Sequence, residues 1–160
     1  MRKAVFLDRD GLINRKAAEH DYIRRWEDFS FLPGVPETIA RLNDVGYLVL
    51  IVTNQRGVAR GLMTMKDVER IHRKMLDRLK EFGAHVDGIY VCPHDIGQCH
   101  CRKPDIGLFL RAEQDFDIDK GCSWMVGDGE SDMEAGRRFG LRTILTEDLS
   151  GAVKQILEDL

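Results

Sequence analysis

The stretch Lys3-Ala4-Val5-Phe6-Leu7-Asp8-Arg9-Asp10-Gly11 decides how this chain is read. A run of strand-forming apolar residues stops at two carboxylates one residue apart, followed by a glycine. Side chains alternate faces along a strand, so residues i and i+2 point the same way. Asp8 and Asp10 therefore converge where the strand ends. Such a pair attracts a divalent cation and can divide nucleophile and general-acid work between its members. D-x-D alone is also compatible with a plain strand and polar turn, so the decision rests on what lies further along the chain.

Working outward, the same apolar pattern recurs. Ala4–Leu7, Leu48–Val52, Ile89–Cys92, Trp124–Val126 and Thr143–Leu145 are short apolar runs bounded by Gly or polar residues, and they read as strands. Runs that are continuous rather than alternating suit a parallel sheet covered on both faces. Helical spacing fills the intervals. Pro36–Val45 ends at Gly46; Ile106–Phe116 follows later; Asp132–Phe139 ends at Gly140; Ser150–Leu160 closes the sequence. A longer helix, capped by Thr64 with Asp67, carries Met65, Val68, Ile71, Met75, Leu76, Leu79 and Phe82 as a core stripe up to Gly83. Repeated β-α-β units predict a doubly wound, Rossmann-like α/β fold as one domain over residues 1–160. No long insertion follows the first or second strand, so no separate cap domain is expected.

The 160 residues are enough for a proper core, and 43% of them are hydrophobic. A net charge of −3 offers no basic face for nucleic acid or an anionic membrane. The apolar run near Met1 is too short for a signal peptide or a membrane span. A cytoplasmic monomer acting on a small molecule is expected, with no nucleic-acid or membrane partner. In that compartment Cys92, Cys99, Cys101 and Cys122 are not expected to form disulfides.

Ligands of doubly wound sheets bind beyond the carboxyl ends of the strands. Thr53-Asn54-Gln55 follows the second strand, where a hydroxyl and backbone N–H groups can hold a phosphoryl group. Gly127-Asp128-Gly129-Glu130-Ser131-Asp132 follows the fourth. Asp128 would join Asp8 and Asp10, and three carboxylates suit Mg²⁺. Asp132 opens a helix and is read as supporting that loop. Lys103, in Arg102-Lys103-Pro104, supplies the positive charge that an attacked phosphate needs. Asp10 can act as an acid near neutral pH only if its pKa is raised.

Cys92-Pro93-His94 and Cys99-His100-Cys101 place three thiols and an imidazole within residues 92–101. Cys92, His94, Cys99 and Cys101 form a ligand set suited to a closed, tetrahedral, structural Zn²⁺ site. Such a site would fix the loop that presents Arg102 and Lys103. His100 is a weaker candidate, and Cys122 is read as a core thiol.

LDRDG, VTNQ, CRKP and GDGESD, in this order, resemble the four signature motifs of haloacid dehalogenase-type phosphatases. The resemblance implies that Asp8 is a nucleophile forming an aspartyl-phosphate. It implies that Asp10 protonates the leaving group and then activates water, and that Thr53 and Lys103 stabilise the phosphoryl group. It also implies Mg²⁺ held by Asp8, Asp128 and the backbone carbonyl of Asp10. The zinc insert is similar to the branch that contains heptose 1,7-bisphosphate 7-phosphatases and histidinol-phosphate phosphatases. The stretch Thr53–Gly61 looks like the heptose enzymes. The function implied is Mg²⁺-dependent removal of the 7-phosphate from D-glycero-D-manno-heptose 1,7-bisphosphate. Histidinol phosphate or another small phosphosugar is the alternative substrate, and a non-catalytic, zinc-stabilised binding module is the alternative of another class. Asn54, Gln55, Arg56, Arg60 and Arg102 are the expected substrate-binding residues, the arginines suiting a second phosphate. Arg15–Glu19 and Gln55–Arg60 are the expected selecting loops. Three features depart from the heptose pattern: a short spacer between His94 and Cys99, Gly129 where Lys is common, and Leu12 where Thr is usual.

Overall fold

The structure is a computed structural model that describes residues 1–159. Five strands, β1 (Ala4–Leu7), β2 (Leu48–Asn54), β3 (Gly88–Cys92), β4 (Trp124–Gly127) and β5 (Arg142–Leu145), form one sheet in the order β3-β2-β1-β4-β5. Every pairing is parallel; Leu7 lies opposite Ile51 on one side and Val126 on the other. The chain winds outward from β1 to β3 and then returns to the far side of β1, so the strand order reverses between β1 and β4.

The helices are α1 (Val35–Val45), α2 (Met65–Lys80), α3 (Gly107–Asp115), α4 (Glu130–Phe139) and α5 (Leu149–Glu158). Strand periodicity divides the core into two halves. Val5, Leu7, Val49 and Ile51 face α1, α2 and α5. Ala4, Phe6, Leu48 and Leu50 face α3 and α4, where Phe6, Phe109 and Phe139 pack with centroids 5.0–6.1 Å apart. Burial on both faces explains why the strands read as unbroken apolar runs. Among the described residues no helix is long and apolar enough to cross a membrane.

Three local expectations are corrected. Helix α2 starts at the predicted Thr64–Asp67 capping box but ends at Lys80. Leu76 (36% exposed) and Phe82 (39%) therefore do not belong to its buried stripe. Leu76 is turned to the flank by the roughly 100° step from Met75, and Phe82 lies past the helix end against the Arg78 guanidinium. His72 takes a core position instead. Cys122 sits half-buried in a 3₁₀ turn, not in the core. Helix α4 begins at Glu130, which places Asp132 inside its first turn. Leu160, the expected end of the last helix, lies outside the described residues.

Candidate active site

The carboxyl ends of β1, β2 and β4 meet beside the point where strand order reverses, the usual location of ligands in such sheets. Backbone pairing carries Asp8 just beyond β1, its N–H donating to Val126 O at 3.0 Å. The chain then turns sharply through Gly11 (φ +91°). A Cβ at Gly11 would stand 2.3 Å from Asp128 Oδ2, so this turn admits only glycine.

Lys103 crosses from the loop after β3 to this tip. Its Nζ donates to Asp8 Oδ1 at 2.9 Å and to Asp132 Oδ1 at 2.5 Å, and it is 3% exposed. One oxygen from each of Asp8, Asp128 and Asp132 lies within 4.8 Å of the others. Burial lifts Asp8 above the ordinary carboxylate range, with Asp132 and Asp10 adding to the rise and Lys103 opposing it. Burial works against the Lys103 charge, but Asp8 and Asp132 outweigh it and leave the ammonium more firmly protonated than usual. Asp132 thus does more than support a loop. Its Oδ2 accepts from the Gly129 N–H at 3.2 Å while Oδ1 holds Lys103. Lys16, which no motif marks, pairs with Asp128 at 2.6 Å.

Asp10 is held differently. Its Oδ1 accepts from Arg9 Nη2 at 2.7 Å, Arg9 Nε at 3.1 Å and Asn14 Nδ2 at 2.8 Å; its Oδ2 accepts from Gln55 Nε2 at 3.1 Å. Burial would raise its pKa, but the Arg9 charge and these hydrogen bonds outweigh it and hold Asp10 below the usual range. The protein itself thus stabilises the carboxylate. A phosphate dianion bound alongside would push it back up. Thr53 Oγ1 accepts from Gln55 Nε2 at 2.9 Å at the end of β2. Asn54 and Gln55, expected at the substrate, spend their side chains inside the protein. Both donors of the Gln55 amide go to Asp10 and Thr53. Asn54 clips the Lys103 main chain from both sides, at 3.2 Å to its carbonyl and 3.1 Å from its N–H.

The second cluster stands next to Lys103 in sequence. Ligand atoms of Cys92, His94, Cys99 and Cys101 all lie within 4.8 Å of one another. The sulfurs are 3.0–3.4 Å apart, and His94 Nδ1 is 3.3 Å from Cys101 Sγ. A zinc tetrahedron with Zn–S bonds of about 2.3 Å has edges of roughly 3.8 Å, so this four-membered cage is of the right kind and close to the right size. Burial pushes the Cys92 thiol up. It acts the same way on Cys99, but N–H groups of Arg102 and Cys101 and the neighbouring thiols outweigh it and bring Cys99 down to about 6. His100 is exposed and outside the cage.

The expected selecting loops do border the site. Asp10 and the segment Lys16–Ile23 line a hollow of about 490 Å³. Gly57 of the other loop lies against Tyr22, where a Cβ would be 3.0 Å from the ring. Arg56 forms an ion pair with Asp95 of the cysteine loop, and Arg60 is exposed. Arg102 Nη1 is buried without a hydrogen-bond partner. Leu12, where Thr was usual, is fully buried in the core.

A doubly wound sheet carrying these groups at its strand tips is a haloacid dehalogenase-type phosphatase. Residues 3–152 match the family described as polynucleotide kinase 3 phosphatase, and the chain belongs to that family. It is 42% identical to the D-glycero-beta-D-manno-heptose-1,7-bisphosphate 7-phosphatase of Haemophilus ducreyi, over 89% of this chain and 81% of that one. The enzyme of the same name from Rhodopseudomonas palustris is 38% identical over 99% and 92% of the two chains. Among solved structures, the D,D-heptose 1,7-bisphosphate phosphatase of B. bronchiseptica, complexed with magnesium and phosphate, is similar with a TM-score of 0.86. It is 31% identical, and the match covers 99% of each chain.

Proposed function

We propose that this protein removes the 7-phosphate of D-glycero-D-manno-heptose 1,7-bisphosphate, acting as a single domain without a cap. The buried Asp8–Lys103–Asp132 arrangement, with Asp128 beside it, carries the phosphatase reading. The relatives carry the choice of sugar. Asp8 attacks phosphorus, and the ester oxygen leaves with a proton from Asp10. Water then attacks the aspartyl-phosphate, Asp10 takes the water's proton, and Asp8 is freed with inorganic phosphate. Lys103 and the Thr53 hydroxyl face the phosphoryl oxygens and offset their charge. The Asp8, Asp128 and Asp132 oxygens, with the Asp10 carbonyl, suit a hard cation, and Mg²⁺ bound there would neutralise phosphoryl charge. The cysteine cage suits Zn²⁺ with no position open to substrate.

The unpartnered Arg102 Nη1 supports a role for that residue at the second phosphate. Arg56 and Arg60 belong to the same region, Arg56 through its exchange of Asp95 for a phosphate. The net charge of −3 supports a small-molecule partner rather than nucleic acid. The remaining parts of the reading are a monomer and a cytoplasmic location.

The test is phosphate release in Mg²⁺ from heptose 1,7-bisphosphate and histidinol phosphate, with ³¹P NMR of the product. A large kcat/KM preference for the heptose, leaving the 1-phosphate in place, is expected. Preference for histidinol phosphate reassigns the substrate, and no turnover of either overturns the reading. Asp8→Asn should lower kcat by about 10⁴-fold or more; an active variant removes Asp8 as nucleophile.

A further inference from the structure

Arg9 is the largest fully buried side chain of the protein, at 0% exposure, and it is charged. A guanidinium without water must be held on every side. Two of its nitrogens donate to Asp10 Oδ1, and the Phe29 ring lies 5.9 Å from its centre. The third nitrogen, Nη1, meets Nε2 of His72 at 3.0 Å, across 63 residues of sequence. His72 projects from the middle of α2 and is 6% exposed.

Chemistry settles the direction of this contact. Arginine has only donors, so His72 Nε2 must be the acceptor, and the ring must carry its proton on Nδ1. A protonated ring would set two cations against each other. Burial, followed by the Arg9 charge, pushes His72 down to about 3 despite the opposing pull of Asp10. The ring therefore stays neutral and remains an acceptor at any pH at which the enzyme works.

Asp10 is the group that must move a proton, and its position depends on what holds Arg9. Each guanidinium nitrogen that finds a partner removes one direction in which the plane can turn. Without an acceptor at Nη1, the fork could swing towards water in the hollow of about 520 Å³ that His72 lines together with Met65, Glu69 and Tyr90. Asp10 Oδ1 would follow it. A misplacement of about 1 Å at a reacting group can cost on the order of 10²-fold in rate.

We propose that His72 is a positioning residue of the phosphatase: its Nε2 locks the Arg9 guanidinium, which in turn aims the Asp10 carboxyl at the ester oxygen. The inference rests on the function proposed above. In the first step the bond from Asp8 to phosphorus forms while the bond from phosphorus to the ester oxygen breaks. A sugar oxygen needs the Asp10 proton as it leaves, whereas nitrophenolate leaves without one.

The test compares kcat/KM in Mg²⁺ for heptose 1,7-bisphosphate and p-nitrophenyl phosphate. His72→Leu is expected to lower the sugar value by roughly 10- to 100-fold, with the loss in kcat and little change in KM. The aryl ester should stay within about twofold of the wild type, since its leaving group escapes the proton requirement. His72→Gln retains an acceptor and should restore the sugar value. His72→Met, closer in volume, serves if the leucine variant does not fold. Equal losses on both esters, or no loss on either, overturn the positioning role. In the wild-type protein, ¹⁵N NMR should show an unprotonated His72 Nε2; a proton there overturns the inference without any variant. Wild-type protein that cleaves the aryl ester but not the sugar refutes the proposed substrate, and the leaving-group comparison then passes to any alkyl phosphate it does cleave. Wild-type protein inert to every ester overturns both readings together.

Discussion

The cysteine cage and the carboxylate–lysine centre are neighbours built on opposite plans. The cage draws all its ligands from residues 92–101, one loop after β3. The centre draws Asp8, Thr53, Lys103, Asp128 and Asp132 from the ends of β1 and β2, the loop after β3 and the β4–α4 junction, and its Lys103–Asp8 contact spans 95 residues. The cage is local chain geometry and needs mainly a metal to close it. The centre exists only when the sheet has formed, because strand pairing brings its parts to one edge. The two share residues 101–103, so the local device can hold still the group that the long-range device requires.

Predictions follow in order of size. Lys103→Met leaves Asp8 and Asp132 without their shared cation, and kcat should fall by roughly 10²- to 10³-fold, read by steady-state phosphate release. A fall below tenfold would mean that the centre does not depend on this contact. Cys99→Ser should abolish near-stoichiometric zinc, read by metal analysis, and lower Tm markedly, because ligand binding by the folded state is folding free energy. If cage and centre are coupled, kcat also falls in the zinc-depleted protein while it is still folded. An unchanged kcat would separate the two regions.

A pH titration of stability sharpens the same comparison. Unfolded His72 takes up a proton near its ordinary 6.5, whereas the native ring resists to about 3. The unfolded state thus binds more protons between these values, and stability falls as pH drops. From pH 7 to pH 5 the loss is about 2 kcal/mol. Denaturant titrations of wild type and His72→Gln should differ by that slope, and the acid sensitivity left in the variant belongs to the cage and the carboxylates. Arg56→Ala cuts the ion pair to Asp95 between the two regions. Both partners are about a third exposed, so stability should change by less than about 1 kcal/mol. A larger loss on chemical denaturation would mean that this contact, rather than residues 101–103, joins cage to centre.

Much of the frame was readable beforehand. The strand starts, the Thr64–Asp67 cap and the glycines ending α1 and α4 are set by local rules of periodicity and capping, which act within a few residues. The four cage ligands were legible because they fall within ten residues of one another. The internal contacts of Asn54 and Gln55 were not legible, because a motif shows which residues gather at a site, not which way an amide turns. Arg9, within the opening motif, and Asn14, three residues beyond it, were passed over, since an Arg between two aspartates looks solvated until burial is known. Lys16 was marked only as part of the Arg15–Glu19 loop and His72 not at all; each is an ordinary residue whose partner lies far along the chain.

The sequence alone determined the order of strands and helices, the strand-end position of Asp8 and Asp10, and the identity of the cage ligands. Each follows from spacing along the chain and the chemistry of the residue type. Tertiary structure decided that Asp132 shares Lys103 with Asp8, that Asp10 is stabilised as a carboxylate, and that a neutral histidine backs the arginine behind it. The Lys103 and His72 contacts span 29 to 95 residues, while the hold on Asp10 depends on the burial of its near neighbours Arg9 and Asn14 and on Gln55, 45 residues away. Only the packed sheet and helices remove the water that would otherwise have satisfied each of those groups separately.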